Sequence, residues 1–460
     1  MSTPRAPAEL REEILRLVAE FSAAAHTPVP FRPGRDLVHY AGRCFDADEV
    51  VGLVSSALDF WLTAGPQATR LEGRLAAYLG VATGLLVNSG SSANLVAFAT
   101  LTARELGARR IERGDEIITV AAGFPTTVAP IVQHGAVPVF IDIDPATANA
   151  DVRQLEAARG PRTKAVVLAH TLGNPFDVAA VTAFCARHDL WLLEDNCDAL
   201  GATFDLGGGP RLTGSFGHLA TSSFYPSHHM TTGEGGAVFT DDALLARIAE
   251  SLRDWGRDCW CGSGKDNTCG KRFSWCFDRL PAGYDHKYVY SRFGYNLKMT
   301  DLQAAVGLAQ LDKLPGFVEA RRRNHAFLRD ALTPFADRVR VIGATPRSDP
   351  SWFGLLMVLR DARIDRRDLV AHLEGARIQT RMLFGGNLLR QPCADALDRP
   401  GLTHRVVGEL AATDEMMERG LWVGVHPGMR TAELDYVADT LRAFFVAPTG
   451  RTRRIVAARR

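Results

Sequence analysis

Two adjacent histidines, His228 and His229, stand in the stretch Thr221–Val238, TSSFYPSHHMTTGEGGAV, between an apolar run and a Gly-Glu-Gly-Gly turn. Imidazole changes charge near neutral pH, so the doublet suits a metal ligand pair, a general base, or two packed rings. Other residues around it have types and spacing that chemistry can use. Asn88-Ser-Gly-Ser-Ser-Ala-Asn94 joins an apolar run to a helical pattern. Gly90 permits a sharp turn, and Ser91 and Ser92 bring hydroxyls and free N–H groups to a helix start, where the dipole favours an anion. An ordinary helix cap has the same composition. Glu194-Asp195-Asn196-Cys197-Asp198 ends another apolar run. Carboxylates at the carboxyl end of a parallel strand face the ligand crevice, and a buried Asp195 suits a protonated ring nitrogen. An exposed acidic loop is the alternative. Phe124, in Gly123-Phe-Pro-Thr-Thr127, offers a face for stacking on a flat heterocycle. Gly294-Tyr-Asn-Leu-Lys-Met-Thr-Asp301 leads into a helical pattern.

Cys259-x-Cys261-x7-Cys269 puts three thiols in one polar loop, and Cys197 stands beside Asp195. Four thiolates hold zinc or a [2Fe–2S] cluster, and the spacing alone selects neither. Position favours iron–sulfur, because Cys197 would bring a cluster close to the ring site.

These groups need an alternating α/β frame to position them. Strand candidates are Gly84–Val87, Glu116–Val120, Val137–Ile141, Lys164–Ala169, Trp191–Leu193, His218–Phe224 and Gly236–Thr240, many separated by helical segments. That alternation predicts a large, mostly parallel sheet. A helix is expected from Leu302 to Leu314. A smaller C-terminal α/β unit has a strand at Phe353–Leu359 and helices at Arg366–Leu373 and Glu433–Phe445. The expected division is a docking helix in 1–35, a large domain in 36–320 with a cysteine-bearing insertion at 253–290, a small domain in 321–448, and a basic tail in 449–460. Leu10, Ile14, Leu17, Val18 and Phe21 share one helical face, which predicts that the first helix docks through it.

The 460 residues are 46% hydrophobic, ample for a sizeable core, and the formal net charge is +1. No global field favours nucleic acid or membrane. No secretory signal or membrane-length apolar run is visible, so a cytoplasmic location with eight unpaired cysteines is expected.

In order along the chain, these motifs resemble the nucleotide-sugar aminotransferases, a vitamin-B6 group of fold type I whose large domain is like that of aspartate aminotransferase. The resemblance runs from about Tyr40 into the C-terminal domain. It implies that Gly90, Ser91 and Ser223 bind the cofactor's phosphate, that Phe124 stacks on its ring, and that Asp195 holds the pyridine nitrogen. Asn296 matches a position reaching the phosphate of a neighbouring subunit, which implies a homodimer with shared sites. Trp61, in Phe60-Trp-Leu-Thr-Ala-Gly65, matches a segment near the sugar, and Arg381 and Asn387 match substrate contacts.

One departure changes the expected chemistry. The family's aminotransferases read Ser-Phe-x-Pro-x-Lys, with the lysine tethering the cofactor; this chain has His228 there. Imidazole forms no stable imine with an aldehyde, so the cofactor would bind noncovalently, most usefully as pyridoxamine 5′-phosphate. Of the six lysines, Lys298 is the nearest rival for the tethering role. With the cysteine set Cys197, Cys259, Cys261 and Cys269, the chain resembles the 4-keto-6-deoxyglucose 3-dehydrase branch. Glu194-Asp-Asn-Cys-Asp-Ala-Leu-Gly201, Ser222-Ser-Phe-Tyr-Pro-Ser-His-His229 and Arg381-Met-Leu-Phe-Gly-Gly-Asn387 carry that match. It implies loss of the C3 hydroxyl from a TDP- or CDP-linked 4-keto-6-deoxy- or 4-keto-2,6-dideoxyhexose, with His228 as base. Reduction would come through a [2Fe–2S] cluster fed by an NAD(P)H-dependent flavin or ferredoxin reductase. The competing readings are a pyridoxal-phosphate sugar aminotransferase or lyase with structural zinc, and a non-catalytic B6-fold sensor. Few lysines among many arginines and alanines point to a high-GC source, in which deoxysugars often enter antibiotics.

Overall fold

The structure, a computed structural model, describes residues 5–27, 29–262, 264–398 and 403–447. The expected basic tail lies outside them. In chain order the first strands are β1 (Thr83–Val87), β2 (Glu116–Val120), β3 (Val137–Ile141), β4 (Thr163–Ala169) and β5 (Trp191–Asp195). With Leu219–Ser223, Gly236–Thr240 and Arg405–Val406 they form one eight-stranded sheet. Its spatial order is β1, Gly236–Thr240, Leu219–Ser223, β5, β4, β2, β3, Arg405–Val406. Only Gly236–Thr240 runs antiparallel to its neighbours; every other pair is parallel. The strands are near-continuous apolar runs because both faces are covered. Alternate residues of β4 feed separate cores, Val166 and Leu168 on one face, Ala165 and Val167 on the other.

A second, four-stranded antiparallel sheet forms the small domain, in the order Val339–Val341, Gly354–Leu359, Gly420–Gly424, Thr380–Arg381. Helices Arg366–Gly375 and Thr431–Val446 share its apolar core. The fold class is therefore the expected one, and all seven expected large-sheet strands form.

Three features differ from expectation. The helix expected to stop at Leu314 runs Asp301–Leu332, through Pro315 and across the expected 320/321 domain boundary. Proline removes one helical hydrogen bond at a cost of about 3 kcal/mol. Burial of Leu311, Leu314, Val318 and Leu328 along the helix offsets that loss. The first helix, α1 (Pro7–Ala25), packs on α2 (Ala47–Asp59), but not through the predicted face. Leu10, Ile14, Leu17 and Phe21 are exposed, and Arg11 instead binds Ser55 and Asp59. Finally, Arg405–Val406 leaves the C-terminal half to pair with β3, where it covers an otherwise open edge. No described helix is long and apolar enough to cross a membrane.

Candidate active site

The carboxyl ends of β5 and Leu219–Ser223, together with the starts of two helices, frame a cavity of about 840 Å³. The helices are α4 (Gly90–Thr100) and α5 (Pro125–Gln133); α3 (Pro66–Leu79) lies outside the cavity. Of the residues singled out from sequence, Gly90, Ser91, Phe124, Asp195, Ser223, His228, Cys197 and Arg381 line it. Trp61, Asn296, Asn387 and the three loop cysteines do not.

Period-two alternation decides what β5 presents. Asp195 faces the cavity, whereas Glu194 points to the opposite face. There Glu194 is fully buried and accepts hydrogen bonds from the N–H groups of Gly214, Phe216 and Gly217 at 3.0, 2.7 and 2.5 Å. His170 Nε2 lies 3.0 Å from it. Burial alone would raise the Glu194 pKa, but His170 and these N–H groups outweigh it and hold it below the usual value. Asp195 is aimed by three donors: Asn94 Nδ2 at 2.8 Å, Thr127 Oγ1 at 2.6 Å and the Cys197 N–H at 3.2 Å. Thr221 in turn donates to Asn94 Oδ1 at 2.6 Å. No role was assigned to Asn94 or Thr127 from sequence. The signal was present in their offsets, four residues after Gly90 on one helix and three after Phe124.

At the start of α4, Ser89 Oγ accepts from the Ser92 N–H at 3.1 Å. The N–H groups of Gly90 and Ser91 precede the helix's own hydrogen bonds and can meet an anion. A Cβ at Gly90 would sit 2.4 Å from Ser223 Cβ. One at Gly236 would come 2.5 Å from the Ser89 carbonyl oxygen. Glycine at both positions lets the final strand close on this loop. Phe124 is half-exposed, with its ring edge-on to Phe384 at 6.3 Å. This combination fits pyridoxamine or pyridoxal phosphate: an anion seat, an aromatic face, and an oriented carboxylate in one cavity.

His228 stands in the turn after Leu219–Ser223. Its Nε2 lies 3.3 Å from Asp198 Oδ1, and its Nδ1 is buried with no hydrogen-bond partner. The ring sits 5.5 Å from that of Phe353. Below it, the fully buried Arg321 donates to the carbonyls of His228, Trp352 and Phe353. Burial pushes the Arg321 pKa down to about 10. His229 is buried as well. Its Nε2 donates to the Ser351 carbonyl at 2.7 Å, and burial, then Arg321, push its pKa well below normal. His229 thus anchors the turn to the small domain. Among the described residues lining the cavity there is no lysine. Lys298 lies outside it, 3.4 Å over the Trp255 ring and 2.7 Å from Asn296 Oδ1.

Arg381 stacks on Tyr40 at 3.8 Å within the cavity. Asn387 is different from the expected substrate contact. Its amide donates to Asp414, and its oxygen caps Leu389. Trp61 donates its indole N–H to the Ala64 carbonyl and covers Gly65. Cys259, Cys261 and Cys269 remain neighbours: Cys261 Sγ accepts from Thr268 Oγ1 at 3.0 Å, and the other two thiols act on Cys259. Cys197 does not join them. It lies on the cavity floor, 3.1 Å from where a Gly90 Cβ would stand. Among the described residues, no three histidine, cysteine or acidic side chains are gathered to hold a metal. The expected four-thiolate set therefore does not assemble within one chain. All eight thiols are free.

The sequence pattern of the DegT/DnrJ/EryC1/StrS aminotransferases matches residues 43–442. The chain is 48% identical over 437 residues to the lipopolysaccharide biosynthesis protein RfbH of Salmonella typhimurium, covering 95% of this chain and 98% of that one. It is 47% identical over 437 residues to the dTDP-4-dehydro-2,6-dideoxy-D-glucose 3-dehydratase of Saccharopolyspora spinosa, covering 95% and 92%. Among solved structures it is similar to the E. coli GDP-4-keto-6-deoxy-D-mannose-3-dehydratase with bound hydrated PLP. That match has a TM-score of 0.78 at 30% identity and covers 88% of this chain and 99% of that one.

Proposed function

This chain belongs to the DegT/DnrJ/EryC1/StrS aminotransferase family, and from that premise we propose that it is a 3-dehydratase of nucleotide-linked 4-keto-deoxyhexoses. One observation carries the choice of dehydration over amino transfer: His228 reaches the cavity and no described lysine lines it. A tethering lysine is what an aminotransferase needs for repeated turnover. The relatives named as 3-dehydratases support the same reading.

When bound, pyridoxamine 5′-phosphate would supply an amine for the C4 ketone and a pyridinium ring that takes up the electron pair left by proton removal and gives it back as the C3–O bond breaks. The chain's own residues do the rest. Gly90, Ser91 and Ser223 seat the phosphate, and Phe124 covers the ring. Asp195, fixed by Asn94, Thr127 and the Cys197 N–H, keeps the ring nitrogen protonated. His228 accepts the proton released during elimination, and Asp198 stabilises the imidazolium by an ion pair across 3.3 Å. The same protonated ring is the acid available to the departing C3 oxygen. Arg381, stacked on Tyr40, is the cavity's cation for the nucleotide's diphosphate or the sugar. Two electrons are still needed after elimination. A [2Fe–2S] cluster, fed by an NAD(P)H-dependent flavin or ferredoxin reductase, is the source we infer, although one chain alone does not gather its ligands. The protein acts as a cytoplasmic homodimer.

Incubation with TDP- and CDP-linked 4-keto-6-deoxy- and 4-keto-2,6-dideoxyhexoses, pyridoxamine phosphate and a reducing system tests this. NMR of the product should show C3 as a methylene. A product aminated at C4 with glutamate as donor would replace the dehydratase by an aminotransferase.

A further inference from the structure

The side chain of His228 does little to hold itself in place. Its Nε2 meets Asp198, and its Nδ1 has no partner among the described residues. The ring therefore stands where its backbone puts it. That backbone is a tight turn, closed by the His228 N–H on the Tyr225 carbonyl at 2.9 Å.

Behind the turn, three segments meet at one buried group. The Asp301–Leu332 helix serves both domains. Leu311, Leu314 and Val318 pack with Phe224 and Met230, which flank the turn, while Leu328 and Leu332 pack in the core of the small domain. Arg321 lies between these two stretches and is 2% exposed. One of its terminal nitrogens donates to the His228 carbonyl at 3.2 Å, and the other to the carbonyls of Trp352 and Phe353 at 3.3 and 3.4 Å. The guanidinium also stands over the Phe353 ring, 5.6 Å from its centroid, and that ring is the one beside His228. Residues 351–353 are themselves fixed to the large domain. The Ser351 N–H donates to the Gly173 carbonyl at 3.0 Å, and the Phe353 N–H to the Leu172 carbonyl at 2.9 Å. A side chain at Gly173 would collide with the Ser351 carbonyl.

A buried charge is a costly way to fill a core. Burial lowers the Arg321 pKa only to about 10, so the group is charged at neutral pH. Asp198 and Cys44 act on it through space alone. Among the described residues, carbonyl oxygens are its only hydrogen-bond partners. A rigid planar fork of five donors suits carbonyls on separate segments, as a compact ammonium or an apolar side chain does not. Arg321 lies outside the cavity, so it acts on the site through what it holds.

We propose that Arg321 is the positioning residue of the base: by joining the His228 carbonyl to those of Trp352 and Phe353, it sets how the side chain at position 228 meets the cofactor. The inference rests on the reading above that His228 serves as the base in this cavity.

Residue 228 can report its own placement. In full-length His228→Lys the new amine forms an imine with added pyridoxal phosphate, read by its visible absorbance and, after borohydride, by adduct mass. Adding Arg321→Met should slow imine formation about 10-fold or more, as a displaced reacting group does. Arg321→Lys keeps the charge without the fork and should fall between. With His228 in place, Arg321→Met should lower kcat about 10- to 100-fold at little-changed KM and pyridoxal phosphate affinity. Full-rate imine formation in folded Arg321→Met would make the guanidinium a packing group and overturn the proposal. Should that chain fail to fold, full-rate imine formation with Arg321→Lys would do the same. A fall in cofactor affinity that accounts for the slower imine would also overturn it, by placing the defect in the phosphate seat. The trapping needs no sugar, so its failure is distinct from a failure of the product assay, which would remove the dehydratase reading instead.

Discussion

His228 Nε2 lies 3.3 Å from Asp198 Oδ1, so the histidine that replaces the family's lysine has a carboxylate beside it, three residues after the cofactor-facing Asp195. The pair is strongest when the ring is protonated. In the proposed reaction Asp198 would stabilise His228 once it has taken a proton.

Asp198→Asn keeps the shape and removes the charge. The expected result is a kcat lower by about 10- to 100-fold, with cofactor affinity and KM little changed, as for a group acting through a general base. Steady-state kinetics with a cofactor titration check this. A raised KM at unchanged kcat would assign Asp198 to substrate binding.

His228→Lys restores the tethering side chain. Borohydride treatment of this variant with pyridoxal phosphate should fix the cofactor to the protein, as mass spectrometry of the peptide reads. Wild type should yield no adduct. An adduct on a native lysine, Lys298 above all, would remove the basis for noncovalent binding.

Gly90→Ala puts a Cβ 2.4 Å from Ser223 Cβ. Overpacking of this kind costs about 1–3 kcal/mol, which reads as a roughly 5- to 150-fold loss of cofactor affinity. Absorbance titration with pyridoxal phosphate measures it. Thermal unfolding of the cofactor-free variant, measured alongside, should show only a modest fall in Tm; unfolding at room temperature would mean that the alanine disrupts the fold rather than the anion seat.

His170→Ala tests the other face of β5. Glu194 has its pKa held down in the folded protein, so its contribution to stability is full above the unfolded value of about 4.3 and is lost as pH falls through the lower folded value. Without His170, one of the groups that hold the Glu194 pKa down is gone, so its pKa rises and that loss begins at higher pH. Leaving one side of a buried hydrogen bond without its partner costs about 1–3 kcal/mol. Acid unfolding followed by circular dichroism should move to higher pH. An unchanged acid transition would mean that the N–H groups of Gly214, Phe216 and Gly217 suffice alone.

Much of this was legible before folding was considered. Local patterns are enough for a strand–helix alternation, a Gly90 turn at a helix start, and an acid at a strand end. The register of these motifs was enough to mark His228 as the odd residue in the lysine position. What failed locally failed for long-range reasons. Pro315 breaks helices on average, and only burial of the Asp301–Leu332 helix carries it through. The apolar stripe of α1 predicts docking, but a stripe does not say which surface it meets. Asn387 matched a substrate position, and only folding showed its amide held by Asp414, 27 residues away.

The sequence by itself determined the chemical inventory: one histidine for a lysine, a glycine–serine turn at a helix start, an acid at a strand end, and four cysteines in a one-plus-three pattern. Tertiary structure alone decided which of these share a cavity. Side chains 101 and 68 residues apart, Asn94 and Thr127 against Asp195, meet there because parallel strands deliver their carboxyl ends to one edge. The same topology holds Cys197 on the cavity floor and the other three cysteines on an outer loop, a separation that sequence spacing does not encode.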